Sequence, residues 1–455
     1  MCIRSLLAVS SALMLSLPCP AAAPEWVWAV SAGGKLNDKT RAVNVDREGN
    51  VYLAGEATEE VDFGGTKVQG HGKALDFFVA KVSPEGKFLW ARMEGGDLTD
   101  RGYGVAPDAA GNVYVTGHYE STNATFGGQA VPNRGGYDIF VAKYDRDGKL
   151  QWVQTAGGKG YDYGHGIAVD PKGDVVVTGA VVGEAEFGDV KLPSTWAGGR
   201  VFCAKYHADG KLVWAKASTG AAGGSGHGVA VDGAGNIYVG GMASGRGEFG
   251  GKELVTPKGS SALVAKLSPA GEVLWVAQHF GEASCLFHEI TADEQGRVWA
   301  SGMWKGQATF GGETFTTTNE KDADALVSHF DTDGKLLWTR VGQGPGVDYG
   351  LGVATDGTGA AYLTGEFSEG FKLAGTELKN RGGTDIYVAK FDEKGALVWT
   401  TTAGGEKGEN AYTMVCDRAG NLVLAGSFVG TTRFGEKEMT SVGSGDLYVA
   451  KLRGR

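Results

Sequence analysis

Seven tryptophans, Trp28, Trp90, Trp152, Trp214, Trp275, Trp338 and Trp399, follow one another at steps of 62, 62, 62, 61, 63 and 61 residues. A chain of 455 residues would ordinarily suggest roughly two or three domains, but a fixed internal period overrides that count. The series is also out of phase with its own repeat. Trp28 lacks the upstream segment that precedes every other member, and the last repeat reaches Arg455 without a tryptophan of its own. An offset of this kind specifies how a ring of seven units closes.

Each unit carries four landmarks. An apolar run ends in Asp, then two residues and Gly, as in Val43 to Asp46 and Gly49, or Ile167 to Asp170 and Gly173. A second run closes on Gly, as in Val113-Tyr114-Val115-Thr116-Gly117. A third reads Ile139-Phe140-Val141-Ala142-Lys143, and the fourth holds the tryptophan, as in Lys211-Leu212-Val213-Trp214. Short, β-branched and aromatic runs bounded by Gly or Asp are strand chemistry. Val175-Val176-Val177 is apolar at successive positions, so such strands are expected to be covered on both faces. Short links such as Asp46-Arg47-Glu48-Gly49-Asn50 and Ser83-Pro84-Glu85-Gly86 suit tight hairpins. Four antiparallel strands in each of seven units predict an all-β fold, a single seven-bladed β-propeller. Glu25-Trp26-Val27-Trp28-Ala29 is expected to supply the fourth strand of the last blade and so remove an unpaired edge.

The unit running from Asp108 to Gly117 and from Gly135 to Trp152 resembles the SBBP β-propeller repeat of secreted bacterial proteins, across essentially all of residues 24–455. That resemblance implies a scaffold and no common activity, since a fold does not carry a function with it. Residues 1–23 read as a Sec signal peptide, with Arg4, the apolar stretch Leu6 to Leu17 and the small residues Ala21 to Ala23. A lipoprotein reading through Cys19 is weakened by Pro18 in front of it. The expected location is therefore periplasmic, cell-surface or extracellular, with no transmembrane segment. Glycine at 77 residues demands many turns, and the net charge of −10 argues against a nucleic-acid partner. Cys203, Cys285 and Cys416 lack disulfide spacing and are expected to be small buried hydrophobes.

Long second-to-third links and inter-blade links fall on one face, where any binding site is expected. Five residues before each repeat Asp stand Arg41, Tyr103, His165, His227, His288, Leu351 and Tyr412, which sevenfold geometry brings to the channel mouth. His165, His227 and His288, with Cys285 near, admit two readings: channel lining, or ligands of a transition metal. Eight before the Asp come Asp38, Asp100, Asp162, Asp348 and Glu409, with Gly224 and Cys285 as exceptions. These either cap the turn leading into each blade or form acid/base partners for the histidines. Blade five departs most from the pattern, with Trp299 for Tyr, a new Trp304, and Ser328-His329 for Ala-Lys. Trp304 and Trp196 stand outside the periodic series and are candidates for stacking on a sugar. Asp145 to Gly148 and Asp331 to Gly334 look like the start of a calcium loop but lack its later ligands, so hairpin turns are expected. No cofactor motif is present, and none is expected. The leading functional expectation is a non-enzymatic scaffold that binds a surface protein or carbohydrate. The alternative is a lyase or hydrolase, metal-dependent or not, working at the channel mouth.

Overall fold

A computed structural model describes residues 24–194, 198–319 and 322–454; the signal-peptide reading, Trp196 and Arg455 lie outside these residues. Seven four-stranded antiparallel units follow one another around a central channel. Blade 1 is Lys39–Val45, Val51–Thr58, Leu75–Val82 and Phe88–Glu94, in that order from channel to rim. Second and third strands are buried along almost their whole length, as in Val51–Thr58 and Ala323–Phe330, because every blade is packed between two others. The core is accordingly a set of separate apolar layers between blades rather than one central mass.

Blade 7 takes Glu409–Cys416, Asn421–Phe428 and Asp446–Arg453 from the end of the chain and Trp26–Ala32 from its start. The pairing runs from Trp26 opposite Leu452 to Ala32 opposite Leu447. At its outer end the Arg453 amide donates to the Glu25 carbonyl.

The periodic tryptophans prove to be joints between blades. Each sits on a fourth strand, and the indole N–H of every one but Trp399 donates to a carbonyl in the third-to-fourth hairpin of the next blade. The six bonds run from Trp28 to Pro84, Trp90 to Arg146, Trp152 to Ala208, Trp214 to Pro269, Trp275 to Thr332 and Trp338 to Glu393, at 2.9–3.4 Å. Each ring also lies against the hairpin glycine: Gly86, Gly148, Gly210, Gly271, Gly334 and Gly395 in turn. These glycines have φ between 75° and 87°, and a Cβ on any of them would come within 2.7–3.0 Å of the indole. Backbone conformation and ring contact therefore demand glycine independently. Trp152 is half-buried rather than enclosed, packed against the apolar layer between blades two and three and against the hairpin of the next blade.

The long second-to-third links are not free loops. Most fold into short hairpins whose turns are Gly-Gly pairs with positive φ at both residues, as at Gly64-Gly65, Gly127-Gly128 and Gly311-Gly312. Before the turn stands a buried apolar residue, such as Phe63, Phe126, Phe310 or Leu373. Several of these hairpins then pair with the fourth strand of the preceding blade, as Ala156 opposite Phe187, Phe280 opposite Thr309 and Gly404 opposite Arg433. Adjacent blades are thus fastened by hairpins on one face and by indoles on the other.

Among the described residues Trp399 makes no equivalent bond, since the third and fourth strands of blade 7, Asp446–Arg453 and Trp26–Ala32, are not joined by a hairpin of consecutive residues. We expect Trp28→Ala to cost about 2–4 kcal/mol, because it removes a buried ring and the bond that ties blade 7 to blade 1. Trp399→Ala should cost at least about 1 kcal/mol less. Urea denaturation of the two variants measures the difference.

Candidate functional site

The seven positions expected at the channel mouth share one local cause. In each blade the first strand carries one residue more than the second opposes, and that extra residue is Arg41, Tyr103, His165, His227, His288, Leu351 or Tyr412. A bulge turns its extra side chain out of the sheet, here toward the channel. It also drives the first strand's backbone against the second, which explains the glycine closing every second run. A Cβ on Gly55, Gly117, Gly179, Gly241, Gly302, Gly365 or Gly426 would collide with a first-strand carbonyl oxygen, from that of Lys39 on blade 1 to that of Asn410 on blade 7.

The bulged side chains touch in sequence around the channel. Arg41 lies over the rings of Tyr412 and Tyr103, at 4.8 and 5.5 Å. Tyr103 meets His165 at 5.1 Å, His165 meets His227 at 5.0 Å, and His227 meets His288 at 5.8 Å. Leu351 interrupts the series of rings, and Tyr349, two residues earlier, extends it to a ring 6.1 Å from His288. Arg41 is held by Glu56, with Nη2 at 2.6 Å from Oε1 and Nε at 3.0 Å from Oε2. Beyond the collar a cavity of about 370 Å³ follows the channel, lined by Val43, Asn44, Ile167 and Glu289 among others.

Burial keeps these imidazoles neutral. His165 and His288 are pushed down to about 4, and His227, flanked by both, lies well below the ordinary value. His165 Nδ1 is within bonding distance of the Gly226 carbonyl, at 3.2 Å. Ring-on-ring packing spreads the three histidines along the wall instead of aiming them at one point. Among the described residues no three His, Cys, Asp or Glu side chains are arranged to hold a metal ion. Cys285 faces the apolar layer between blades four and five, where burial pushes its thiol up to about 12.

The carboxylates before each first strand act as caps. Asp38 accepts from the amides of Gly34 and Thr58, Asp162 from Gly158 and Val182, and Glu409 from Gly405. With both oxygens of Asp162 bonded to backbone amides, a proton relay from it to His165 has no support. Asp145 and Asp331 likewise accept amides within their own hairpins.

Trp304 corrects an expectation. It is fully buried in the apolar layer that holds Cys285, edge-on to Phe310 at 6.1 Å, and has no face for a ligand. The new tryptophan fills core volume in a repeat that has drifted. Trp299 and His329 form one compensated change: they are cross-strand partners, with rings parallel to within 8° at 4.4 Å. In most blades this position pairs Tyr with Lys, as Tyr52 with Lys81 at 5.1 Å. A stacked indole and imidazole replace a cation over a ring.

An aromatic wall that sequence reasoning missed climbs from the collar to the surface between blades two and three. Tyr163 touches His165 at 5.8 Å, Tyr137 touches Tyr163 at 5.4 Å, and Tyr161, 54% exposed, touches Tyr137 at 5.0 Å. Behind them His118 is enclosed, stacked on Tyr137 at 4.6 Å and on Tyr103 at 5.3 Å. Tyr161, Tyr163 and His165 recur at a spacing of two, which puts them on one side of an extended strand; that spacing was the available signal.

No family model matches this chain. It is 25% identical over 444 residues to the Regulatory protein FlaEY of Caulobacter vibrioides, covering 90% of this chain and 45% of that protein. It is 22% identical over 469 residues to an uncharacterized WD repeat-containing protein, L264, of Acanthamoeba polyphaga mimivirus, covering 80% and 32%. The chain thus spans less than half the length of both relatives. Among solved structures, the Pan2 WD40 domain of Neurospora crassa aligns over 94% of this chain and 95% of its own, at a TM-score of 0.46 and 10% identity. The protein has a seven-bladed β-propeller fold.

Two outcomes follow from the electrostatics. Burial raises Glu409 to about 8 and Asp348 and Glu366 to about 7, so their stabilising contribution is full at low pH and is lost as pH rises through those values. The buried histidines are lowered, so theirs is full above about 6.5 and is lost as pH falls from there toward 4. Melting temperature should therefore rise as pH falls from about 8.5 to 6.5, and the rise should slow below about pH 6.5 as the unfolded histidines begin to take up protons; Glu409→Gln should flatten the alkaline limb. His227→Tyr should change stability by less than about 1 kcal/mol at pH 7, because two other blades already hold tyrosine in that slot. Metal content and unfolding of that variant check the point, since a three-imidazole metal site would lose its ion.

Proposed function

We propose that this protein is an exported, non-enzymatic binding scaffold of the SBBP-repeat kind, and that it engages its ligand on the face bearing the links. The observation that carries this reading is the aromatic wall of Tyr161, Tyr137 and Tyr163, which opens to solvent at one end and joins the channel collar at the other. Most of the fold's other large aromatics are enclosed in interblade layers, where they serve packing. Tyr137 and Tyr161 are exceptions at positions where the other repeats carry mostly small or polar residues, such as Gly199 and Thr384, or Thr99 and Gly223. Their strand ends are laced by backbone bonds, Gly136 to Gly160 and Asp162 to Tyr137, so the wall is held before a ligand arrives. Rigid tyrosines with an apolar face and a hydroxyl edge suit the C–H face and hydroxyls of a pyranose ring. A carbohydrate of the cell envelope is the ligand that this chemistry fits best.

A glycan array probed with the purified propeller tests the reading. Tyr161→Ala should leave the melting temperature within about 2 °C, since the side chain is mostly exposed. It should weaken each glycan hit by about tenfold or more. Unchanged binding by this variant and by Tyr137→Ala would place the ligand elsewhere on the ring.

A further inference from the structure

Charge is distributed unevenly around the channel mouth. Blade 1 has Lys39 and Arg41 on its first strand, and it places Glu56 opposite Lys39, where the carboxylate grips Arg41 from both oxygens. In blade 2 the position of Lys39 is taken by Arg101, and the position of Glu56 by His118, its cross-strand partner. His118 cannot compensate a guanidinium, since an imidazole is neutral or cationic; enclosure, with His165 and then Arg101 and Arg41 adding to it, holds it well below its ordinary value. Among the described residues Arg101 makes no ion pair, and its Nε is sealed from solvent without an acceptor. The nearby acid is Glu120, whose charge acts on Tyr137. Arg101 is near enough to Tyr137 and Tyr163 for its charge to act on both phenols. A guanidinium with no ion pair among the described residues therefore stands beside the aromatic wall, in a protein whose net charge is −10.

We propose that Arg101 is the anchor of an acidic-sugar site: a pyranose carrying a carboxylate, such as a uronate, lies on Tyr137 and Tyr161 with its carboxylate on the Arg101 guanidinium. This rests on the wall being the binding surface and adds the class of sugar it selects. A planar guanidinium matches a carboxylate in a two-point bond, and neighbouring aromatic faces strengthen that bond by excluding water. The site needs such a local cation, since the acidic surface of the whole protein repels an anionic polymer at long range. Association should accordingly weaken with salt more than stacking alone would.

The test compares oligogalacturonate with its methyl ester, which keeps the ring and removes the charge, after a screen of a wider panel of uronate, sialate and neutral glycans. By calorimetry the wild-type protein should bind the acid at least about tenfold more tightly than the ester, or show the same preference for another carboxylated glycan over its neutral form. Arg101→Gln should abolish the preference while keeping the weak affinity for the ester, and Arg101→Lys should restore part of it. Melting curves of the three proteins report folding. Equal binding of acidic and neutral forms, or a preference untouched in Arg101→Gln, overturns the anchor. The wall survives that result if Tyr161→Ala still weakens binding. Absence of any glycan binding, with Tyr161→Ala also without effect, overturns both.

Discussion

The contact between an indole and the glycine of the next blade's hairpin is the constraint on which the rest of this ring depends. It fixes the distance between neighbouring blades at their outer hairpins and repeats six times, from Trp28 on Gly86 to Trp338 on Gly395. Because each tryptophan acts on the blade after its own, no blade is complete alone, and stability is shared among nearest neighbours. The closing contact is the one that uses the first strand of the described chain. Trp28 belongs by sequence to the start of the chain and by structure to blade 7, so its bond to Pro84 joins the last blade to the first.

With the blades held, the channel collar becomes a set of seven slots whose backbone is invariant and whose side chain is free. A bulge in every first strand aims one residue inward, and a facing glycine makes room for the bulge. The fold tolerates Arg, Tyr, His and Leu there because none of the seven is needed for the ladder. Three adjacent slots hold histidines whose rings pack against one another, and the same packing that suits them to line a wall keeps their nitrogens from converging. Function in such a frame is written in the slots and the links, while the repeat itself stays silent about it.

The blades, their number and the closure could be read from the sequence because each depends on patterns that recur seven times. The cap carboxylates were legible for the same reason: a residue needed once per repeat shows itself by recurrence. Trp304 was misplaced because novelty in one repeat was taken as a sign of a surface role. A core position that drifts looks equally novel, and only the pairing of Trp304 with Cys285 and Asp324 shows which it is. Trp299 and His329 are far apart in sequence, and neither substitution explains itself until the strands are laid side by side. The second-to-third links were expected only as long connections on one face, and Phe-Gly-Gly within them is the corner of a hairpin whose partner edge belongs to another blade.

The two blades without a cap carboxylate show that the cap answers a backbone problem. Where Asp or Glu is present, the first strand is seven or eight residues long, and the carboxylate collects amides from the link before it. At Gly224 the carboxylate is missing, and the first strand instead begins at Thr219 and runs for 13 residues against an equally extended second strand. The ladder there satisfies amides that a side chain satisfies elsewhere. At Cys285 the strand starts at Ser284, and the Ser260 hydroxyl accepts the Cys285 amide at 3.2 Å. Elsewhere the equivalent amide donates to a backbone carbonyl of the preceding blade, as Asp162 to Tyr137 and Asp348 to Ala323, so a serine hydroxyl here takes the place of that carbonyl. Both exceptions fall in the consecutive blades that carry His227 and His288, so this side of the mouth lacks the two buried carboxyl groups found at the corresponding positions elsewhere. The remaining ionisable groups of the collar there are the imidazoles and Glu289, which burial raises to about 7. A mouth that is cationic at blades 1 and 2, and built of neutral rings from blade 3 to blade 5, presents an anionic ligand with one favourable side to approach.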